Sequence, residues 1–177
     1  MNIKYKDITL RAIEEEDLDL LQEMMNDPEI EKMTGVVGLP VSKREQKQWY
    51  ENLTNKDVRL IIDTEEHGAI GVVMFTDINY RNSTAQLHLK IATSKQIWGK
   101  GYGTKATYAF IRYGLMEMNL HLIYCHIVEY NIASQRMTEK CGFKKEGLLR
   151  DRVYKNGKYY GITVWSVTKE DLLDEED

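Results

Sequence analysis

The chain is poor in several residue types, and each shortage closes off a class of protein. It has 2 cysteines in 177 residues, Cys125 and Cys141, and they form no C-x-x-C pair. Buried thiols fit that arrangement better than a disulfide framework or a structural metal site, so no metal is expected. It has 2 prolines, with 42% hydrophobic and 29% charged residues, a balance that sets it apart from disordered or Pro-rich chains. No stretch approaches the roughly 18 consecutive apolar residues of a membrane span, and no basic-then-apolar leader is present, so a cytoplasmic protein is expected. Positive charge is also in deficit. The formal net charge is -4, with carboxylates gathered at 14–19 and 171–177; this argues against a general nucleic-acid binder and accommodates a cationic partner.

What is present reads as one mixed α/β domain over residues 1–170, followed by an acidic tail at 171–177. "ITLRAI" (8–13) has the pattern of a first strand. A helix follows in which Leu18, Leu21, Met24 and Met25 recur at helical spacing until Asp27-Pro28 stops it. "SKRE" opens a second helix, Ser42 to Leu53, in capping-box form. The runs at 58–63, 69–78 and 85–93 make an antiparallel meander. A helix over about 102–117, a strand at 120–128, a helix from Asn131 to about Cys141 and two closing strands complete the order βααβββαβαββ. Asn156-Gly157 between the last two suits a type I′ turn.

The stretch with the most chemical content is "QIWGKGYGT" (96–104), three glycines at period two running into a helix. It is not a Walker A loop, because Ser94 stands where the first glycine belongs and Gly101 where the magnesium-holding hydroxyl belongs. Nor is it the dinucleotide fingerprint, since Thr104 replaces the third glycine. Two readings remain. The loop is either a flexible turn or a nest of backbone N–H groups at a helix N-terminus that suits a pyrophosphate.

Gln96, Gly99 and Gly101 spell Q-x-x-G-x-G. With Asn131, "EKCGFKKEG" (139–147) and the hairpin "YKNGKYYGITVWSV" (154–167) downstream, the chain resembles the GNAT superfamily of N-acetyltransferases. The likeness is greatest to the branch holding ribosomal-protein alanine, spermidine and amino-sugar N-acetyltransferases. It implies a mostly antiparallel sheet of about seven strands with about four helices, splayed between the fourth and fifth strands. It also implies acetyl transfer from acetyl-CoA to a primary amine by direct attack on the thioester, with coenzyme A as product. By that resemblance the pyrophosphate falls to Gln96, Trp98, Gly99, Lys100, Gly101, Tyr102, Gly103 and Thr104. The pantetheine arm falls to the backbone of Leu89, Lys90 and Ile91, and Asn131 contacts the cofactor or caps its helix. The family's habit suggests a homodimer.

Three positions depart from the family pattern. Thr138 stands where a Tyr usually serves as general acid, Gln86 where a Glu often serves as base, and Gly161 where an Asp is common. Ser134 then becomes the candidate proton donor, with Tyr124, Tyr130 and Tyr154 as alternative phenols. His88 and His126 are the candidate bases, their unperturbed pKa near 6.5 being suited to the task, and water-mediated deprotonation with no dedicated base is the reading set ahead of both. The acceptor is expected to be a small amine, an amino sugar or polyamine, or a protein N-terminus. Glu29, Glu31, Asp77 and Glu129 are available to draw a polyamine, and Trp49, Trp165 and Tyr160 to stack, although core is the expected place of both tryptophans. With those groups missing, a non-catalytic acyl-CoA sensor or scaffold is the rival reading.

Overall fold

The computed structural model describes residues 2–35 and 38–172. Eight strands form one sheet in the order β1-β2-β3-β4-β5-β6-β8-β7. In chain order they are β1 (Ile3–Tyr5), β2 (Ile8–Arg11), β3 (Val58–Thr64), β4 (Gly68–Asn79), β5 (Thr84–Ile91), β6 (Leu122–Val128), β7 (Lys144–Lys155) and β8 (Lys158–Thr168). The helices are α1 (Leu18–Asn26), α2 (Pro28–Met33), α3 (Lys43–Glu51), α4 (Tyr102–Met116) and α5 (Ile132–Lys140). All neighbouring strands are antiparallel except β5 and β6, which are joined through α4. No helix among the described residues is long and apolar enough to cross a membrane.

Two elements exceed the sequence expectation. β1 is a three-residue strand that pairs with β2 around Tyr5 and Ile8; its turn carries no glycine, and Lys6 takes a positive φ of 52° instead. A turn built on lysine offers no sequence signal. The second is α2. Asp27-Pro28 does end α1, but Asp27 accepts from the Glu29 N–H and Pro28 stands in the first turn of a new helix, where its missing donor costs nothing. Asp171 forms an ion pair with Lys144 and accepts from Thr168, and the Lys144 ammonium holds its carboxyl down near about 2. Residues 173–177 of the tail lie outside the described residues, as do 36 and 37 of the 35–40 loop.

Alternation along the central strands sorts the core into two layers. Ile62, Val73 and Phe75 face α4, where Phe75 stacks on Phe110 at 3.9 Å between ring centroids. Ile61 and Val72 face the other way, toward Leu18 and Leu21 of α1. The Ser42–Glu45 capping box forms as expected, and Asn156 and Gly157 both take positive φ. Cys125 and Cys141 are free and buried, and desolvation pushes each thiol up to about 12.

One close approach governs the sheet centre. Gly71 of β4 pairs with Ile91 of β5, and a Cβ on Gly71 would overlap the Lys90 carbonyl oxygen and stand 3.0 Å from the Ile91 Cα. Backbone on one strand cannot give way as a side chain can, so β5 is held unusually close to β4 at this end. Gly71→Ala is therefore expected to destabilise the protein by about 1–3 kcal/mol, seen as a lower urea midpoint at unchanged m value.

Candidate active site

β5 and β6 pair only at Thr84–Leu122, Ala85–Ile123 and Gln86–Tyr124. Past Gln86 they part, and a cleft of about 300 Å³ opens between them. This is the splay expected between the fourth and fifth strands of the sequence reading, displaced by one in number because β1 precedes them. Gln86 to Lys90 line one side, Cys125 to Val128 the other, and Asn131, Ser134, Met137 and Thr138 come from α5. Toward β4 the edge of β5 is paired from Gln86 to Ile91, but its edge toward β6 has no strand partner beyond Gln86 among the described residues.

The glycine loop leads to the start of α4, and its glycines have different tasks. Gly99 and Gly101 take φ of 83° and 78°, with open space where a Cβ would go. They are needed for left-handed backbone, which costs other residues roughly 1–2 kcal/mol. Gly103 is needed for closeness: a Cβ there would lie 3.0 Å from the Met137 sulfur and 3.5 Å from Leu89 Cδ2, so α4 begins directly against the cleft lining. The first helical bond is Lys105 N–H to Gly101 C=O, which leaves the N–H groups of Tyr102, Gly103 and Thr104 without a helical acceptor. Lys100 and Tyr102 tether this segment to the β3–β4 turn, both donating to the Glu66 carboxylate. Gln96 and Trp98 stand on the exposed outer part of the loop.

On α5 the expected polar face divides into different roles. Asn131 is the N-cap, its Oδ1 accepting from the Ser134 N–H at 3.1 Å, while its Nδ2 donates to the Met33 C=O at 3.0 Å. Ser134 lines the cleft and is half-buried. Thr138 is 2% exposed, and against the larger upward push of burial its hydroxyl pulls the Cys125 thiol down, so the residue at the usual Tyr position is tucked into the cleft wall.

His88 and Lys90 line the cleft and also a second cavity of about 420 Å³. That cavity lies on the α1 and α3 face of the sheet, among Leu21, Met24, Met25, Trp49, Val72 and Met74. β5 is thus the wall between two spaces. His88 Nε2 is 2.8 Å from Thr76 Oγ1, and burial lowers its pKa, against a smaller opposing pull from Asp77. His126 sits on the cleft side, exposed and 3.4 Å from Gln86.

Several expected contributors are placed elsewhere. Tyr124, Tyr130 and Tyr154 do not line the cleft among the described residues, and Tyr130 donates to the Lys32 C=O. Trp165 is core as expected, with its indole N–H on Thr163, but Trp49 is 37% exposed and lines the second cavity. Of the acids available to a polyamine, Glu29 and Glu31 are paired with Lys32 and Lys155. Glu129 accepts from the Gly161 N–H at 2.7 Å, and its carboxylate would lie 3.2 Å from a Cβ on Gly161. The missing Asp at 161 thus leaves room for a carboxylate from the neighbouring strand end, a substitution visible only in three dimensions.

A parted strand pair, a left-handed glycine turn and a helix opening onto the gap define an acyltransferase fold of a known type. Residues 7–144 match the family model of the acetyltransferase (GNAT) domain, and the chain belongs to that family. It is 29% identical over 161 residues to the spermidine N(1)-acetyltransferase of Vibrio cholerae, covering 88% of this chain and 89% of that protein. It is 30% identical over 169 residues to the N-acetyltransferase p20 of Bacillus licheniformis, covering 92% and 93%. The crystal structure of the Vibrio cholerae spermidine N-acetyltransferase in complex with CoA and spermine superposes with a TM-score of 0.86 at 25% identity, covering 94% of this chain and 98% of that one.

Asn131 joins α2 to α5 and caps the helix that lines the cleft. Asn131→Ala loses both bonds and is expected to cost about 1–2 kcal/mol. Asn131→Asp keeps the cap acceptor and loses only the bond to Met33, so its urea midpoint should fall between those of Ala and wild type.

Proposed function

We propose that the chain is an acetyl-CoA-dependent N-acetyltransferase acting on the primary amine of a small molecule. The observation that carries this is β5 itself, with a cofactor-shaped cleft along its unpaired edge and a separate cavity across it, both lined by His88. The residues fit the group. The free N–H groups of Tyr102, Gly103 and Thr104, with Gly99 and Gly101 turning the backbone, suit a pyrophosphate. The unpaired backbone of Leu89 and Ile91 suits the amides of the pantetheine arm, with Gln96, Trp98, Lys100 and Asn131 around it. When bound, acetyl-CoA supplies the acetyl group as a thioester.

The chain's own part is proton management and positioning. With Nε2–H donating to Thr76, the Nδ1 of His88 keeps its lone pair and accepts a proton from the acceptor amine. Ser134, on the α5 side of the cleft, offers a hydroxyl proton at the leaving side. The relatives that bear the name spermidine N-acetyltransferase act on a small amine, which supports that class of acceptor here. A cytoplasmic setting and a homodimer belong to the same reading.

Release of thiol from acetyl-CoA across a panel of amines tests the proposal. Turnover with at least one amine is expected. Thermal stabilisation by coenzyme A without turnover of any amine would instead establish an acyl-CoA-binding sensor; ligand at a hundredfold its dissociation constant adds about 2.7 kcal/mol. His88→Gln and Ser134→Ala should each lower kcat by roughly a hundredfold or more. The pH profile gives a second check. Burial favours neutral His88, so the base form persists to below pH 6.5, and the acid limb of kcat/KM should fall below that value and vanish in His88→Gln. The stability sign agrees: the folded pKa is lowered, so this group's contribution is complete above about pH 6.5 and declines as pH falls toward the folded value.

A further inference from the structure

Lys90 carries an ammonium into the α1 and α3 cavity, and it has no ion-pair partner among the described residues. Its Nζ is 3.3 Å from the Met25 sulfur, a weak acceptor. Burial alone lowers its pKa, the mark of a cation that has lost water without gaining a counter-ion. Arg59 adds a second cation to the lining, itself paired with Asp57. The one acid in the lining is Glu45, and its Oε2 is taken up by the Ser42 backbone and hydroxyl. Gln46, Thr76 and His88 are the other polar residues of the lining, and the remaining walls, Met24, Met74 and Trp49 among them, are apolar.

A polyamine would bring further positive charge to this space against Lys90 and Arg59, with Glu45 as the one carboxylate of the described lining to meet it. We infer that the acceptor is an amine that also carries an anionic group, a carboxylate or a phosphate-like oxyanion, on an apolar body, with Lys90 binding the anion while the amine lies toward His88. This rests on the acetyltransferase reading for the reaction, and on the cavity alone for the charge. An oxyanion at Lys90 supplies the missing counter-ion to a half-buried ammonium through a charge-assisted hydrogen bond. Lys90 is a specificity residue in this account, and its neighbour two positions away on the same strand face, His88, is the base.

Matched pairs of amines test the inference. Phenylalanine and phenethylamine differ by a carboxylate, 3-aminopropylphosphonate and propylamine by a phosphonate, and spermidine represents the polyamines. The anion-bearing member of at least one pair is expected to have a kcat/KM tenfold or more above its partner and above spermidine. Lys90→Gln should collapse that ratio toward one, and Lys90→Arg should retain most of it. Spermidine as the best acceptor, a ratio that Lys90→Gln leaves intact, or a Lys90→Gln effect confined to the KM for acetyl-CoA would each overturn it. Calorimetric titration of the same amines separates the two layers of the argument. An anion preference in binding that Lys90→Gln removes supports the site even if no amine is acetylated, which would sink only the transferase reading. Equal binding of both members of each pair overturns the site even if acetylation proceeds.

Discussion

The parting of β5 from β6 is the constraint on which the rest of this molecule depends. A parallel pair that continued past Gln86 would satisfy the backbone of both strands and close the space between them. Instead β5 is drawn against β4, where Gly71 leaves room for the Lys90 carbonyl that any side chain would take away. The gap is then bordered by α5, with Ser134 and Met137 presented to it, and by the first turn of α4, brought close because Gly103 has no Cβ. Backbone groups left unpaired are costly when water is excluded from them, which is why the open edge of β5 is the candidate site for a ligand's hydrogen bonds.

The same strand gives the two faces of the site. Leu87, Leu89 and Ile91 point to the α4 side, where they join the larger core. His88 and Lys90 point to the α1 and α3 side, where a second space waits. Period-two geometry thus turns backbone toward one space and side chains toward the other within five residues. The helices on that side are placed by Arg11, which ties β2 to both Asp17 and Asp63, and by the bond from Asn131 to the end of α2.

Much of the fold was legible because local chemistry and tertiary demand agreed. The Ser42 capping box, the Asn156-Gly157 turn, the α4 start at Tyr102 and the alternation in β5 each formed where their residue types required. β1 and α2 were not legible, since one turns on a lysine at positive φ and the other reuses a helix-stopping Asp-Pro as a helix start. The candidate cofactor residues could be located along the chain by the spacing of Gln96, Gly99, Gly101 and Asn131. The catalytic side was far less readable. Thr138 was set aside from the sequence as a poor proton donor, but its burial beside Cys125 was not readable there, and the carboxylate of Glu129 beside Gly161 depends on two strands separated by the whole of α5 and β7.

The sequence by itself determined the family, the element order and the loop that turns into α4, because glycine spacing, caps and hydrophobic period are local properties of the chain. Only the tertiary structure decided which side chains share a space: His88 with Lys90 between two cavities, Trp49 outside the core, and Glu31 spent on Lys155. Those outcomes depend on which strand edge is left unpaired and which charge finds a partner, and both are settled by contacts between residues far apart in the chain.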